Sequence, residues 1–86
     1  MSDIVIYTRP FCPYCARALS LLKSKGAAFT EIDDAFADPN KKRDMMQKTG
    51  GRSTFPQIFI GERHIGGCDD LLALEARGEL DGLLNA

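Results

Sequence analysis

Two cysteines separated by two residues, set where an apolar strand gives way to a helix, constrain this 86-residue chain more than any other feature. The run Ile4-Val5-Ile6-Tyr7 leads through Thr8-Arg9-Pro10-Phe11 into Cys12-Pro13-Tyr14-Cys15, and a helical pattern follows at Ala16, Leu19 and Leu22. Pro13 suits the first position of a helix, because the N–H it lacks would have no intrahelical partner there. Cys12 then stands just before the helix, beside free backbone N–H groups and the positive end of the helix dipole. Cys15, three residues on, shares one face of the first turn. In a strand–helix–strand setting this pattern signals thiol redox chemistry.

The chemistry can be weighed. Cysteines at helix N-termini and in C-x-x-C motifs ionise at roughly 3.5–7.5, against about 8.5 for a free thiol. The gain in thiolate at neutral pH is at most ~1.5 log units, and intrinsic nucleophilicity falls with a Brønsted slope of about 0.4–0.5. The two effects largely offset each other. The larger benefit comes when a second thiol attacks a mixed disulfide, since a stabilised Cys12 thiolate leaves readily. Such a pair is suited to turnover rather than to a permanent structural bond.

Three cysteines is an odd number, and two of them form the redox pair. This favours a reducing, cytoplasmic setting over a secreted disulfide scaffold. Residues 1–86 make one domain, with 44% apolar and 27% charged residues, ordinary values for a soluble globular chain. A net charge of −1 argues against nucleic acid or a membrane surface as partner. No apolar run approaches bilayer-crossing length, and the N-terminus lacks the basic-then-apolar layout of a signal peptide.

Along the chain, residues 3–8 read as a buried strand, because their apolar run is continuous. A helix is predicted over 13–25, stopped by Gly26, and a second strand over 28–33. Strand–helix–strand units of this size make a right-handed crossover and a parallel pair. Asp38 is an N-cap candidate with Pro39 behind it, opening a polar helix that contains Met45 and Met46 and ends at Gly50-Gly51. The third strand is predicted over Thr54–Ile60, where Pro56 is out of place in a central strand. Either the strand is an edge, or Pro56 stands at its beginning, with a cis bond as one option. A short hairpin at Gly61-Glu62 leads to a fourth strand, Arg63-His64-Ile65. Gly66-Gly67 precedes an acidic helix start at Cys68-Asp69-Asp70, ended by Gly78, and Leu80, Leu83 and Leu84 suggest a last helical turn.

Three motifs together carry a family resemblance. Cys12-Pro13-Tyr14-Cys15 after Tyr7-Thr8-Arg9, then Thr54-Phe55-Pro56, then Gly66-Gly67-Cys68-Asp69-Asp70, resemble the short bacterial dithiol glutaredoxins in order and spacing. The resemblance covers essentially the whole chain. It implies an α/β thioredoxin-like fold, a four-stranded mixed sheet with helices on both faces. It also implies glutathione-dependent reduction of protein disulfides and of protein–glutathione mixed disulfides. Glutathione would be a co-substrate, with no tightly bound cofactor and no metal. The expected partners are glutathione and oxidised proteins, ribonucleotide reductase among the compatible ones, met by a monomer.

Carried onto this sequence, the resemblance makes Cys12 the nucleophile and Cys15 the resolving thiol. Thr54, Phe55 and Pro56 would hold the glutathione backbone by strand-like pairing at Phe55. The turn ending in Gly67 and the helix start at Cys68 would meet the γ-glutamyl carboxylate, and Asp69 the amino group. Arg9 and Arg43 are the basic candidates for the glycine carboxylate, and Tyr14 would lie beside the ligand. Phe55 is bulkier than the valine common in the family, and Arg9 replaces a frequent lysine.

Other readings of the same residues differ in their tests. His64-x-x-x-Cys68 could join Cys12 and Cys15 in a zinc site, although the helix-starting proline suits redox chemistry better. A redoxin served by a flavoprotein thioredoxin reductase would turn over without glutathione. An iron–sulfur carrier would be a coloured dimer bridged through Cys12, an arrangement against which Pro13 stiffens the turn and Cys15 competes. Met45 and Met46 read as core, and Asp33-Asp34 and Lys41-Lys42-Arg43 as solvated faces.

Overall fold

β1 (Ile4–Tyr7) can be apolar throughout because both faces of its sheet are covered. In the computed structural model, which describes residues 3–85, Ile4 and Ile6 pack on one side with Ala18, Leu22, Leu71, Leu74, Leu80 and Leu84. These partners come from α1 (Pro13–Ser24), α3 (Cys68–Ala76) and α4 (Leu80–Leu84). Tyr7 and Val5 face the other side, against Ala35, Phe59 and Met45 of α2 (Pro39–Lys48). One sheet thus lies between two helical layers, the arrangement that a continuous apolar run requires.

The sheet order is β2-β1-β3-β4, with β2 (Thr30–Ile32), β3 (Gln57–Ile60) and β4 (Arg63–Gly66). β1 pairs parallel with β2 and antiparallel with β3, and β3 pairs antiparallel with β4. The mixed thioredoxin-like sheet expected from the sequence is therefore present. The second strand is shorter than the predicted 28–33. Phe29 still packs on the α1/α3 side, while Ile32 joins the α2 side.

β3 lies between two partners, so the edge-strand option for Thr54–Ile60 falls away. Pro56 instead precedes the strand, after a cis Phe55–Pro56 bond, and all four residues of β3 are buried. A proline outside the ladder removes none of its hydrogen bonds. Asp38 caps α2 as expected, its Oδ1 accepting the N–H of Asn40 at 2.9 Å and of Lys41 at 3.3 Å. Gly66 at the end of β4 has φ +118°, and a β-carbon there would lie 2.2 Å from Asp70 Oδ2. No helix among the described residues is long and apolar enough to cross a membrane. The reading of the extreme termini falls on Met1, Ser2 and Ala86, outside the described residues.

Candidate active site

Parallel pairing of β1 and β2 delivers the chain to the sheet's end at Thr8. There the Thr8 N–H donates to Ile32 O at 2.9 Å and its hydroxyl to Glu31 Oε2 at 2.7 Å. This fixed exit sets the path of Arg9–Phe11 into the helix. Cys12 is the N-cap of α1, with an extended backbone and Pro13 behind it, and its Sγ accepts the Cys15 N–H at 3.2 Å. The Cys12 sulfur thus takes up one of the donors that a helix start leaves unpaired. All three thiols are free; Cys12 is half-buried, whereas Cys15 and Cys68 are buried.

Burial first, then the hydrogen bond to Cys12, pushes the Cys15 thiol up to about 12. Burial also pushes the Cys68 thiol up. Of the three sulfurs, only Cys12 combines access to solvent with a place at the helix start. Iodoacetamide at neutral pH should therefore label Cys12 and spare Cys15 and Cys68, as peptide mapping would read. Equal labelling of all three would contradict the arrangement.

Cys12 opens onto a trough. One part, about 580 Å³, is lined by Arg9, Cys12, Pro13, Tyr14, Phe36, Lys42, Ser53, Thr54 and Phe55. A second part, about 180 Å³, is lined by Tyr14, Arg52, Thr54, Phe55, Pro56, Gly67, Cys68, Asp69 and Asp70. Tyr14, Thr54 and Phe55 belong to both, so the two parts adjoin between the nucleophile and the start of α3. The three sequence motifs meet here although they are dozens of residues apart. At the far end, Asp70 Oδ2 accepts the Gly67 N–H at 2.9 Å, holding the turn that forms the wall.

Of the ligand residues expected from the sequence, Arg9, Tyr14, Thr54, Phe55, Pro56, Gly67, Cys68 and Asp69 line the trough. Arg43 lines neither part; its neighbour Lys42 does. Successive residues of a helix point about 100° apart, and the rotation of α2 brings Lys42 rather than Arg43 to the groove. Arg52 is a basic residue that the sequence reading missed. Thr49 fixes its backbone, accepting the Arg52 N–H at 3.0 Å and donating to Arg52 O at 2.9 Å. Its signal was a cation between the Gly-Gly turn and the Thr54-Phe55-Pro56 motif. Among the described residues, none of Arg9, Lys42 and Arg52 is held in an ion pair.

Behind the trough, fully buried Gln57 ties its wall to β4. The Gln57 amide nitrogen donates to Thr54 O at 3.1 Å and Thr54 Oγ1 at 3.0 Å, while its oxygen lies 2.7 Å from His64 Nε2. A carbonyl can only accept, so the amide nitrogen must face Thr54 and the amide oxygen must face the histidine. His64 therefore carries a proton on Nε2. The ring also stacks on Phe59, with centroids 5.0 Å apart. His64 is thus a packed strand residue rather than a ligand. Among the described residues, no group of three or more His, Cys, Asp or Glu side chains is placed to hold a metal ion.

The glutaredoxin family pattern matches residues 4–65. This chain belongs to the glutaredoxins. It is 56% identical over 85 residues to glutaredoxin 3 of Escherichia coli strain K12, covering 98% of this chain and 99% of that one. The solution structure of a glutaredoxin from Brucella melitensis superposes with a TM-score of 0.83 at 62% identity, over 98% of this chain and 89% of the other. A crystal structure of a buckwheat glutaredoxin–glutathione complex superposes with a TM-score of 0.85 at 30% identity, over 98% and 77%. With its Cys12–Cys15 pair the protein is a dithiol glutaredoxin of the short bacterial type, a glutathione-dependent thiol–disulfide oxidoreductase. Its partners are accordingly glutathione, used as a co-substrate, and disulfide substrates.

Proposed function

We propose that Cys12 is the nucleophile of this glutaredoxin, that Cys15 resolves its protein mixed disulfides, and that the trough from Arg9 to Asp69 holds glutathione. One observation carries the proposal: the Cys12 sulfur, at the N-cap of α1, opens onto a groove whose far wall is the start of another helix. With a glutathionylated protein, the Cys12 thiolate attacks the glutathione sulfur. A Cys12–glutathione disulfide forms as the protein–glutathione bond breaks, and the protein thiolate leaves and takes up a proton. A second glutathione thiolate then displaces Cys12, giving glutathione disulfide and the reduced enzyme.

A protein disulfide needs one further step. Cys12 bonds to one protein sulfur and the other leaves as a thiolate. The Cys15 thiolate next attacks Cys12 Sγ, freeing the remaining protein thiol and closing a Cys12–Cys15 disulfide. Two glutathione molecules return the pair to dithiol, supplying the two electrons.

Phe55 would pair through its backbone with the glutathione cysteine, in the manner of an added strand, flanked by Thr54 and Pro56. Gly67, the first N–H groups of α3 at Cys68, and the Asp69 carboxylate suit the zwitterionic γ-glutamyl end. Arg9 suits the glycine carboxylate, with Lys42 taking the place expected of Arg43. The Tyr14 ring would cover the ligand between the two ends. The whole chain, residues 1–86, would act as one domain and as a monomer in the cytoplasm; its three free thiols support that setting. Ribonucleotide reductase is proposed among its disulfide acceptors, because a dithiol pair can carry such a disulfide to full reduction.

Cys15→Ser separates the two routes. Reduction of a glutathionylated peptide should persist within about twofold, because glutathione itself resolves that intermediate. Reduction of a protein disulfide should fall about tenfold or more, because the mixed disulfide must wait for an outside thiol. Equal loss of both activities would remove Cys15 from the resolving role.

A further inference from the structure

All three large apolar side chains that the described residues leave well exposed lie around Cys12: Phe11 at 100%, Tyr14 at 58% and Phe36 at 47%. Tyr14 and Phe36 line the trough together with Cys12. Phe11 lines neither part of it. Its backbone also holds the left-handed conformation, φ 56°, which glycine or asparagine adopts with less strain. A ring that buries no surface in the folded chain, on a backbone that suits other residues, contributes nothing evident to folding.

We propose that Phe11 is a specificity contact for protein substrates, packing against an apolar side chain next to the cysteine that Cys12 attacks. The inference rests on the reading of Cys12 as nucleophile and deepens it by naming the polypeptide that the site prefers. Attack brings the substrate's sulfur to bonding distance of Cys12 Sγ, about 2 Å. Phe11 is the residue next to Cys12, and neighbouring Cα atoms are only about 3.8 Å apart. A chain bound through its cysteine therefore brings its flanking residues within reach of the exposed Phe11 ring. In that step the Cys12–substrate bond forms, the substrate disulfide breaks, and its second sulfur leaves as a thiolate that takes up a proton. Aromatic rings supply such contact area at small conformational cost, having only two side-chain torsions. A small mixed disulfide has no flanking chain and gains nothing from Phe11.

The test compares two peptide disulfides, alike except for Phe or Ser beside the reacting cysteine, with the mixed disulfide of glutathione and free cysteine. All are assayed with the full chain and glutathione. The wild-type protein should show kcat/KM about tenfold higher for the Phe peptide. Phe11→Asn, which tolerates the left-handed backbone, should remove that preference and leave the small mixed disulfide unchanged. Phe11→Leu should keep most of the preference, and Phe11→Ser replaces the asparagine variant should that one not fold. Equal wild-type rates on the two peptides overturn the proposal before any variant is made. Persistence of the preference in Phe11→Asn overturns it too, as does a parallel fall on all three substrates, which would mark a structural role. Failure of the wild-type protein on the small mixed disulfide would instead sink the glutathione reading itself, so the two failures are distinct.

Discussion

Cys12→Ser is expected to bring turnover of glutathionylated and disulfide substrates alike to background, a fall of at least about 10³-fold. The hydroxyl takes the sulfur's place at the N-cap of α1 and can still accept the Cys15 N–H. Serine is among the preferred N-cap residues, so the thermal midpoint should hold or rise. What disappears is the chemistry: the thiolate is the nucleophile in exchange, and a hydroxyl offers no comparable anion at neutral pH. Loss of activity with stability retained is the signature to look for, in a coupled glutathione assay beside a thermal melt. Residual activity within a few-fold of wild type would move the nucleophile elsewhere.

Gly66→Ala should have the largest effect on stability, roughly 2–4 kcal/mol. At φ +118° a β-carbon is strained whatever the space around it, and here it would lie 2.2 Å from Asp70 Oδ2. Asp70 can rotate away only by giving up the Gly67 N–H that it accepts at 2.9 Å, the bond that holds the entrance to α3. In a domain of this size the melting temperature should drop by at least about 10 °C. Gly67, Cys68 and Asp69 form the wall of the trough just beyond, so KM for a glutathione mixed disulfide should rise in the surviving folded protein. An unchanged melting curve would show that the turn relaxes without cost.

Local rules reached most of this architecture. Pro13 and Pro39 mark the starts of α1 and α2, and Gly26 and Gly78 follow the ends of α1 and α3, all readable without tertiary information. Pro56 was legible only as a conflict: a proline belongs at an edge or before a strand, and the neighbours of β3 decide which. Arg43 was expected at the groove and Lys42 lines it instead, because both sit in one basic run and only the rotation of α2 separates them. Arg52 was not legible because its place on the trough goes with Thr49 holding its backbone, a contact that no periodicity encodes. The same holds for Gln57 and His64, seven residues apart and joined only because β3 and β4 pair.

The influence of Cys12 on its partner has a consequence for timing. Part of what keeps Cys15 protonated is the neighbouring sulfur itself, through a hydrogen bond and through its charge. Once that sulfur is tied up with a captured molecule, both influences vanish and only burial still opposes ionisation. On the proposed roles, the pair would work as an interlock, its second member armed by occupancy of the first. Because Cys15 must still shed a proton before it strikes, an incoming tripeptide thiol has an interval in which to clear the enzyme first. Both competing thiols must ionise to attack, so below about pH 8 alkalinity speeds the two routes together, and the concentration of the tripeptide should set how traffic divides between them.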